Sequence, residues 1–283
     1  MKKVTKFSGY LALVANIFLF IIKAIAGFFS GSIALISDAA NSFTDILASI
    51  ALMFSIKVSH KRADFTHPFG HHRAEPVGGL IVAIIAALLG FEVIRASIMR
   101  LFVPKEIFVN FWIFLVVFIT IIIKTVLYFY FHHVSRKHQR VAIKALAIDS
   151  INDVAVSSLV MVNFIIYSLD LNYVDGVFGI LIGLWIIRNG FKIGIENIDY
   201  LMGKRPSDDV LKKIKKAALA VKDVKRVNDI FAHYVGIYVH AEVHIGIDKK
   251  TSMKRSHNIS VKVKDKIEDL GIVDRAFIHI DPV

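Results

Sequence analysis

Long apolar runs alternate with short polar connections along this chain, and six runs read as membrane helices: roughly residues 8–29, 33–56, 77–100, 107–131, 141–168 and 174–196. Each reaches the ~20 residues that a helix needs to cross a hydrocarbon core. The first run is too long for a signal peptide and lacks a small-residue cleavage site ahead of a polar region, so it is expected to stay in the membrane. Past about Arg205 the pattern changes to short stretches of period two, as in Ile237-Tyr-Val239-His-Ala-Glu-Val243. This tail predicts helix 208–221, strand 224–232, strand 236–247, helix 251–270 and strand 273–281. An αββαβ order of that kind packs its helices on one face of a small α+β sheet. The expected division is a six-helix transmembrane domain over 1–203 and a separate domain over 204–283.

Two of the apolar runs are interrupted in a matching way. Asn41 and Asp45 lie inside 33–55, and Asp149 and Asp153 repeat the four-residue spacing inside 141–166. Residues four apart share one helix face, so each pair forms a stripe, and two antiparallel neighbours can bring both stripes to one depth. A carboxylate at mid-bilayer costs ~2.5–3.5 kcal/mol on insertion scales, so the four polar groups call for a cation between them. Protonated acids hydrogen-bonded between helices are the plainer alternative. Asp38, seven residues before Asp45, has two readings, an entrance ligand or a helix-start role near Gly31 and Ser32. Lys124, and Glu92 with Arg95, read as snorkelling or structurally paired charges.

A second constellation, Asp64-Phe-Thr-His67-Pro-Phe-Gly-His71, lies between runs two and three. Pro68 and Gly70 break helix and allow Asp64, His67 and His71 to converge on a first-row divalent ion, the alternative being a solvated interfacial loop. His132, His133 and His138 close a run without acidic company and read as an interface feature.

Composition agrees with the pattern: 55% hydrophobic residues in 283 exclude an ordinary soluble domain. The absence of cysteine excludes disulfides, thiolate metal sites and cysteine nucleophiles together, leaving oxygen and imidazole as ligands. The net charge of +12 concentrates at Lys2, Lys3, Lys6, Lys57, Lys61, Arg62, Arg73, Arg136, Lys137, Arg140, Lys144, Lys204 and Arg205, all on one side. Arg100, Lys105, Glu106 and the acidic segment Asp170–Asp175 fall on the other. The positive-inside rule then places both termini in the cytoplasm, and topology with anionic lipid accounts for the charge without nucleic acid.

Together, Asn41-x-x-x-Asp45, Asp149-x-x-x-Asp153, His67-Pro-Phe-Gly-His71 and the ending Ile278-His279-Ile280-Asp281-Pro282 resemble the cation diffusion facilitator family over nearly the whole chain. The resemblance implies a homodimeric antiporter of the cell membrane that exports divalent transition metal in exchange for protons, with a metallochaperone-like cytoplasmic domain. It implies a transport site at Asn41, Asp45, Asp149 and Asp153, a loop site at Asp64, His67 and His71, and a tail site at His240, His257, His279 and Asp281. Asn228 stands where zinc- and iron-type bacterial members usually carry His. Gly203 stands where an acid would pair with Arg73 to link loop and tail. Zinc-transporting relatives usually place a His at the position of Asp149 and an Asp at that of Asn41, whereas this all-oxygen set resembles the manganese-exporting branch. Hard oxygen ligands favour Mn²⁺ over Zn²⁺, with Fe²⁺, Zn²⁺ and Co²⁺ as the other candidates. Metal and protons would compete for the same carboxylates on either side of an alternating-access step. A passive channel, a membrane metal sensor and an intramembrane aspartyl hydrolase are the rival classes.

Overall fold

The computed structural model of the protein describes residues 2–283 except 60, 62, 104–105, 139–140, 169–170, 172 and 237. Side chains at 2–6, 52, 55–56, 59, 138, 141–142 and 145 are also outside the description. Arg62, Lys105, Arg140, Asp170 and Ile237, and the side chains of Lys2, Lys3, Lys6 and His138, therefore lie outside the described residues.

Six long helices come first: α1 Lys2–Ser30, α2 Ile33–Ser59, α3 Ala74–Phe102, α4 Phe111–His138, α5 Val141–Tyr167 and α6 Val174–Leu201. All six are long and apolar enough to cross a membrane. The tail follows as α7 Asp208–Leu219, β1 Arg226–Val235, β2 Tyr238–Ile247, α8 Met253–Glu268 and β3 Val273–Pro282, in the expected αββαβ order. The chain forms two compact units, Met1–Ala51 with Ile81–Gly194, and Leu52–Leu80 with Ile195–Val283.

In the first unit Leu35, Val117, Val156, Val160, Phe164, Ile182 and Ile186 bury one core, and Ala12, Leu127, Phe131 and Ile143 a second between α1, α4 and α5. Phe18, Leu88, Phe118, Val126 and Leu184 point outward, as lipid-facing side chains do. Helices α3 and α6 approach through glycine: a Cβ at Gly183 would meet Ile94 Cγ1 at 2.7 Å and the Gly90 carbonyl at 3.1 Å. Small residues let membrane helices gain dispersion contact where no hydrophobic driving force separates helix from lipid.

In the second unit the sheet order is β1-β2-β3. Strands β1 and β2 are antiparallel, and β2 and β3 are parallel through the α8 crossover. Val210, Ile214 and Ala218 of α7 and Ile259, Val263 and Ile267 of α8 pack on Val239, Ala241, Val243 and Ile245. Strand alternation turns the other residues to the opposite face, so Phe231, His233, His240, Glu242, His244, Phe277 and His279 line it. Gly236 takes φ +62° in the β1–β2 turn, which is why β1 runs on to Val235 and β2 begins at Tyr238.

Candidate functional site: a polar seam and two histidine-carboxylate groups

Helices α2 and α5 meet in tiers of hydrogen bonds. Asn41 Nδ2 donates to Asp153 Oδ1 at 3.0 Å. The other Asp153 oxygen accepts the Lys124 ammonium of α4, which also donates to Asn16 Oδ1 of α1 at 2.6 Å. Asp45 has Asp153, Lys124 and Asp149 as charged neighbours, and its Oδ2 is buried with no hydrogen-bond partner. Asp149 stands at an exposed position. Among the described residues the three carboxylates do not close to the 4.8 Å mutual spacing of the loop and tail groups below. Lys124 does not snorkel: it and Asp153 form a buried ion pair. The pair Glu92 and Arg95 is exposed on α3.

One turn toward the Ile33 end, Asp38 is held in a fully buried set. Lys23 Nζ donates to its Oδ1 at 2.8 Å, Ser157 Oγ to its Oδ2 at 2.8 Å, and Lys23 also donates to Ser42 at 3.1 Å. The start of α2 is served by other groups. Ser32 Oγ accepts the Leu35 N–H at 3.2 Å and donates to Asp175 Oδ1 at 2.6 Å. The Ile33 and Ala34 amides donate to Asp175 at 2.7 and 3.1 Å, and Asn163 Nδ2 adds a bond at 3.0 Å. Asp175, read from the sequence as part of an acidic loop segment, is thus a fully buried residue of α6 that neutralises the donor-rich end of α2.

The loop brings its three expected ligands together. Asp64 accepts the Thr66 hydroxyl at 2.8 Å and the Thr66 and His67 amides at 3.0 and 2.7 Å. The Thr66 hydroxyl and these amides hold the Asp64 carboxyl below its ordinary value. His67 Nδ1 and His71 Nε2 lie 3.5 and 3.4 Å from its oxygens, and one ligand atom from each residue falls within 4.8 Å of the others. Gly70, at φ +81°, makes the turn that returns His71 to Asp64.

In the tail the set His240, His257, His279 and Asp281 is not brought together. His279 and Asp281 group instead with His244, again within 4.8 Å. His279 Nε2 is 3.3 Å from Asp281 Oδ1, the His244 and His279 rings are 4.6 Å apart, and Asn228 donates to Asp281 Oδ2. The parallel register sets His244 opposite His279 and His240 opposite Arg275. Four residues of strand separate the two histidines by ~13 Å on one face. His257 is exposed on α8, in the helix layer on the other side of the sheet.

His240 belongs to a different contact, in which the loop rests on the sheet. Its Nε2 lies 3.4 Å from Asp274, and its ring 5.9 Å from both His233 and Phe69. The Arg275 guanidinium covers the Phe69 ring at 5.1 Å and donates to the Pro68 carbonyl at 3.2 Å. Burial pushes the His240 and His233 imidazoles below their ordinary values, with Asp274 opposing this at His240 and Arg73 adding to it at His233. Gly203, at φ +88°, lies beside His233 and brings no acid to Arg73; the loop meets the sheet through Phe69 with Arg275 and through His72 with Tyr238.

A membrane-spanning bundle with a buried, charged seam, joined to histidine-carboxylate groups outside it, defines the class of membrane cation transporters. The chain belongs to the cation efflux, or cation diffusion facilitator, family: the cation efflux transmembrane domain matches residues 9–202, and the cation efflux protein cytoplasmic domain residues 206–283. It is similar to an uncharacterized transporter of Methanocaldococcus jannaschii, 34% identical over 96% of each chain. The manganese efflux system protein MneS of Bacillus subtilis is 26% identical over 96% of this chain and 93% of its own. Metal tolerance protein 10 of Arabidopsis thaliana is 28% identical over 99% of this chain and 67% of its own. The protein is an integral membrane protein of a family of metal-exporting transporters.

Proposed function

We propose that the protein is a homodimeric, proton-coupled antiporter that exports divalent metal, Mn²⁺ foremost, across the cell membrane, with both termini in the cytoplasm. The observation that carries this reading is the α2–α5 seam, where Asn41 and the buried Lys124 ammonium both bond Asp153 and an oxygen of Asp45 is left without a hydrogen-bond partner. Asn41, Asp45, Asp149 and Asp153 form the transport site. All four offer only oxygen to a metal, a donor set that suits Mn²⁺ better than Zn²⁺. Similarity to MneS, a manganese efflux system protein, points the same way. Protons and metal exchange at the same carboxylate oxygens as the seam opens to one side and then the other. The transmembrane domain spans 1–203 and the cytoplasmic domain 204–283. Asp64, His67 and His71 form the loop site, and His244, His279 and Asp281 the tail site; their spacing within 4.8 Å fits a first-row divalent ion. The match of residues 206–283 to the family's cytoplasmic domain supports assembly as a homodimer.

Proteoliposomes test this reading. Mn²⁺ influx should drive counterflow of protons, respond to an imposed pH gradient and exceed flux of Fe²⁺, Zn²⁺, Co²⁺ and Cd²⁺. Metal flux without proton movement would leave a channel, and a preference for Zn²⁺ would remove the donor-hardness argument.

A further inference from the structure

The seam already holds a cation, and it belongs to the protein. Lys124 is buried at 2% exposure, and its ammonium sits on Asp153, one of the proposed ligands. The other buried lysine offers a contrast. Lys23 sits on Asp38, whose second oxygen is closed by Ser157, and its remaining bond goes to Ser42. That set includes none of the proposed ligands. Lys124 instead divides itself between one proposed ligand, Asp153, and one neutral acceptor, Asn16 on α1. A buried ammonium needs a partner at every position it takes up, and its four-carbon stem lets it move between partners. Asn16 supplies the second position.

We propose that Lys124 is a tethered competitor for the transport site. Its ammonium occupies Asp153 when no metal is bound, withdraws toward Asn16 when a divalent ion takes the carboxylate, and returns to help expel that ion. The inference rests on assigning transport to Asn41, Asp45, Asp149 and Asp153. It makes Lys124 a determinant of affinity and turnover: a resident cation weakens metal binding and speeds release. A structural ion pair would do the opposite, because breaking it leaves Asp153 misplaced and binding poorer.

The test uses full-length protein carrying His71→Ala and His279→Ala, so that only ions in the seam are counted. Mn²⁺ binding is measured by calorimetry, and KM and kcat by flux into proteoliposomes, at one fixed pH. Lys124→Gln should lower Kd by roughly 10-fold, about 1.4 kcal/mol, and lower KM and kcat together. Lys124→Arg should restore both toward the starting values. Asn16→Ala, which leaves the ammonium only Asp153, should raise Kd. A Kd that is unchanged or raised in Lys124→Gln overturns the proposal. If that variant does not fold, an Asn16→Ala Kd at or below the starting value overturns it instead. Mn²⁺ binding that survives Asp45→Ala with Asp153→Ala would refute the site assignment. Loss of binding there, with Lys124→Gln unaltered, would refute only the role of the lysine.

Discussion

The α2–α5 seam and the loop and tail groups both collect metal-ligand side chains, but under opposite conditions. Around α2 the carboxylates of Asp153, Asp38 and Asp175 are buried, and each arrives with donors already supplied: Lys124 and Asn41, Lys23 and Ser157, Ser32 and two amides. At the loop and tail the ligands lie nearer solvent, imidazole is abundant, and each group is closed mainly on itself. Burial makes an unmatched charge cost several kcal/mol, so the seam has to carry a substitute cation. Solvent removes that demand, and the outer groups are preassembled without one.

The sharpest way to break this contrast is Asp153→Ala, which should reduce metal flux in proteoliposomes by roughly 100-fold or more while leaving metal binding by the loop and tail groups intact, as expected for loss of a residue that acts as part of a unit. Flux within a few-fold of the starting protein would place transport elsewhere. Asp64→Ala should weaken binding at the loop by roughly 10–100-fold, since it removes a ligand together with the group that orients His67 and His71. The measurement is metal titration of protein carrying His279→Ala, with flux expected to fall far less than for Asp153→Ala. Asp149→His introduces imidazole into the seam and should shift the Zn²⁺:Mn²⁺ flux ratio toward zinc by about 10-fold. An unchanged ratio would mean that selectivity does not follow donor type.

The smallest effect is one of pH at the loop-on-sheet contact. Because burial lowers the His240 value in the folded protein, the unfolded chain takes up that proton first, so the contribution is complete above the ordinary histidine value of ~6.5 and is lost as pH falls below it. Hydrogen exchange over residues 64–73 and β2 should quicken on acidification, and His240→Phe should reduce the difference.

The six spans and the αββαβ tail are legible because their apolar periods, 3.6 and 2, are local properties of the chain. The loop group is legible for a similar reason, since Asp64, His67 and His71 are joined by one short turn. The tail group is not. His240 and His244 share a face of β2, and only the parallel register with β3 decides which of them meets His279. Lys23 carried a signal that could have been followed, a charge inside an apolar run, and it accounts for Asp38 better than entrance or helix start does. Asp175 gave less warning: an acid at the edge of an apolar run looks solvated until the donors of another helix end are found around it.

That last carboxylate has a mechanical meaning. Ser32, Ile33 and Ala34 fasten one end of α2 to α6, whereas no comparable clasp is found at Asp45 among the described residues. Beyond the α6 clasp, α2 is tied again at Asp38 by Lys23 and Ser157 and at Asn41 by Asp153. Asp45 stands twelve residues from Ile33, about 18 Å along the axis, so a swing of about 10° carries its carboxylate about 3 Å. A movement of that size would open the transport site proposed above while leaving the clasp intact, and the Asp38 and Asn41 bonds are the ones that must give way.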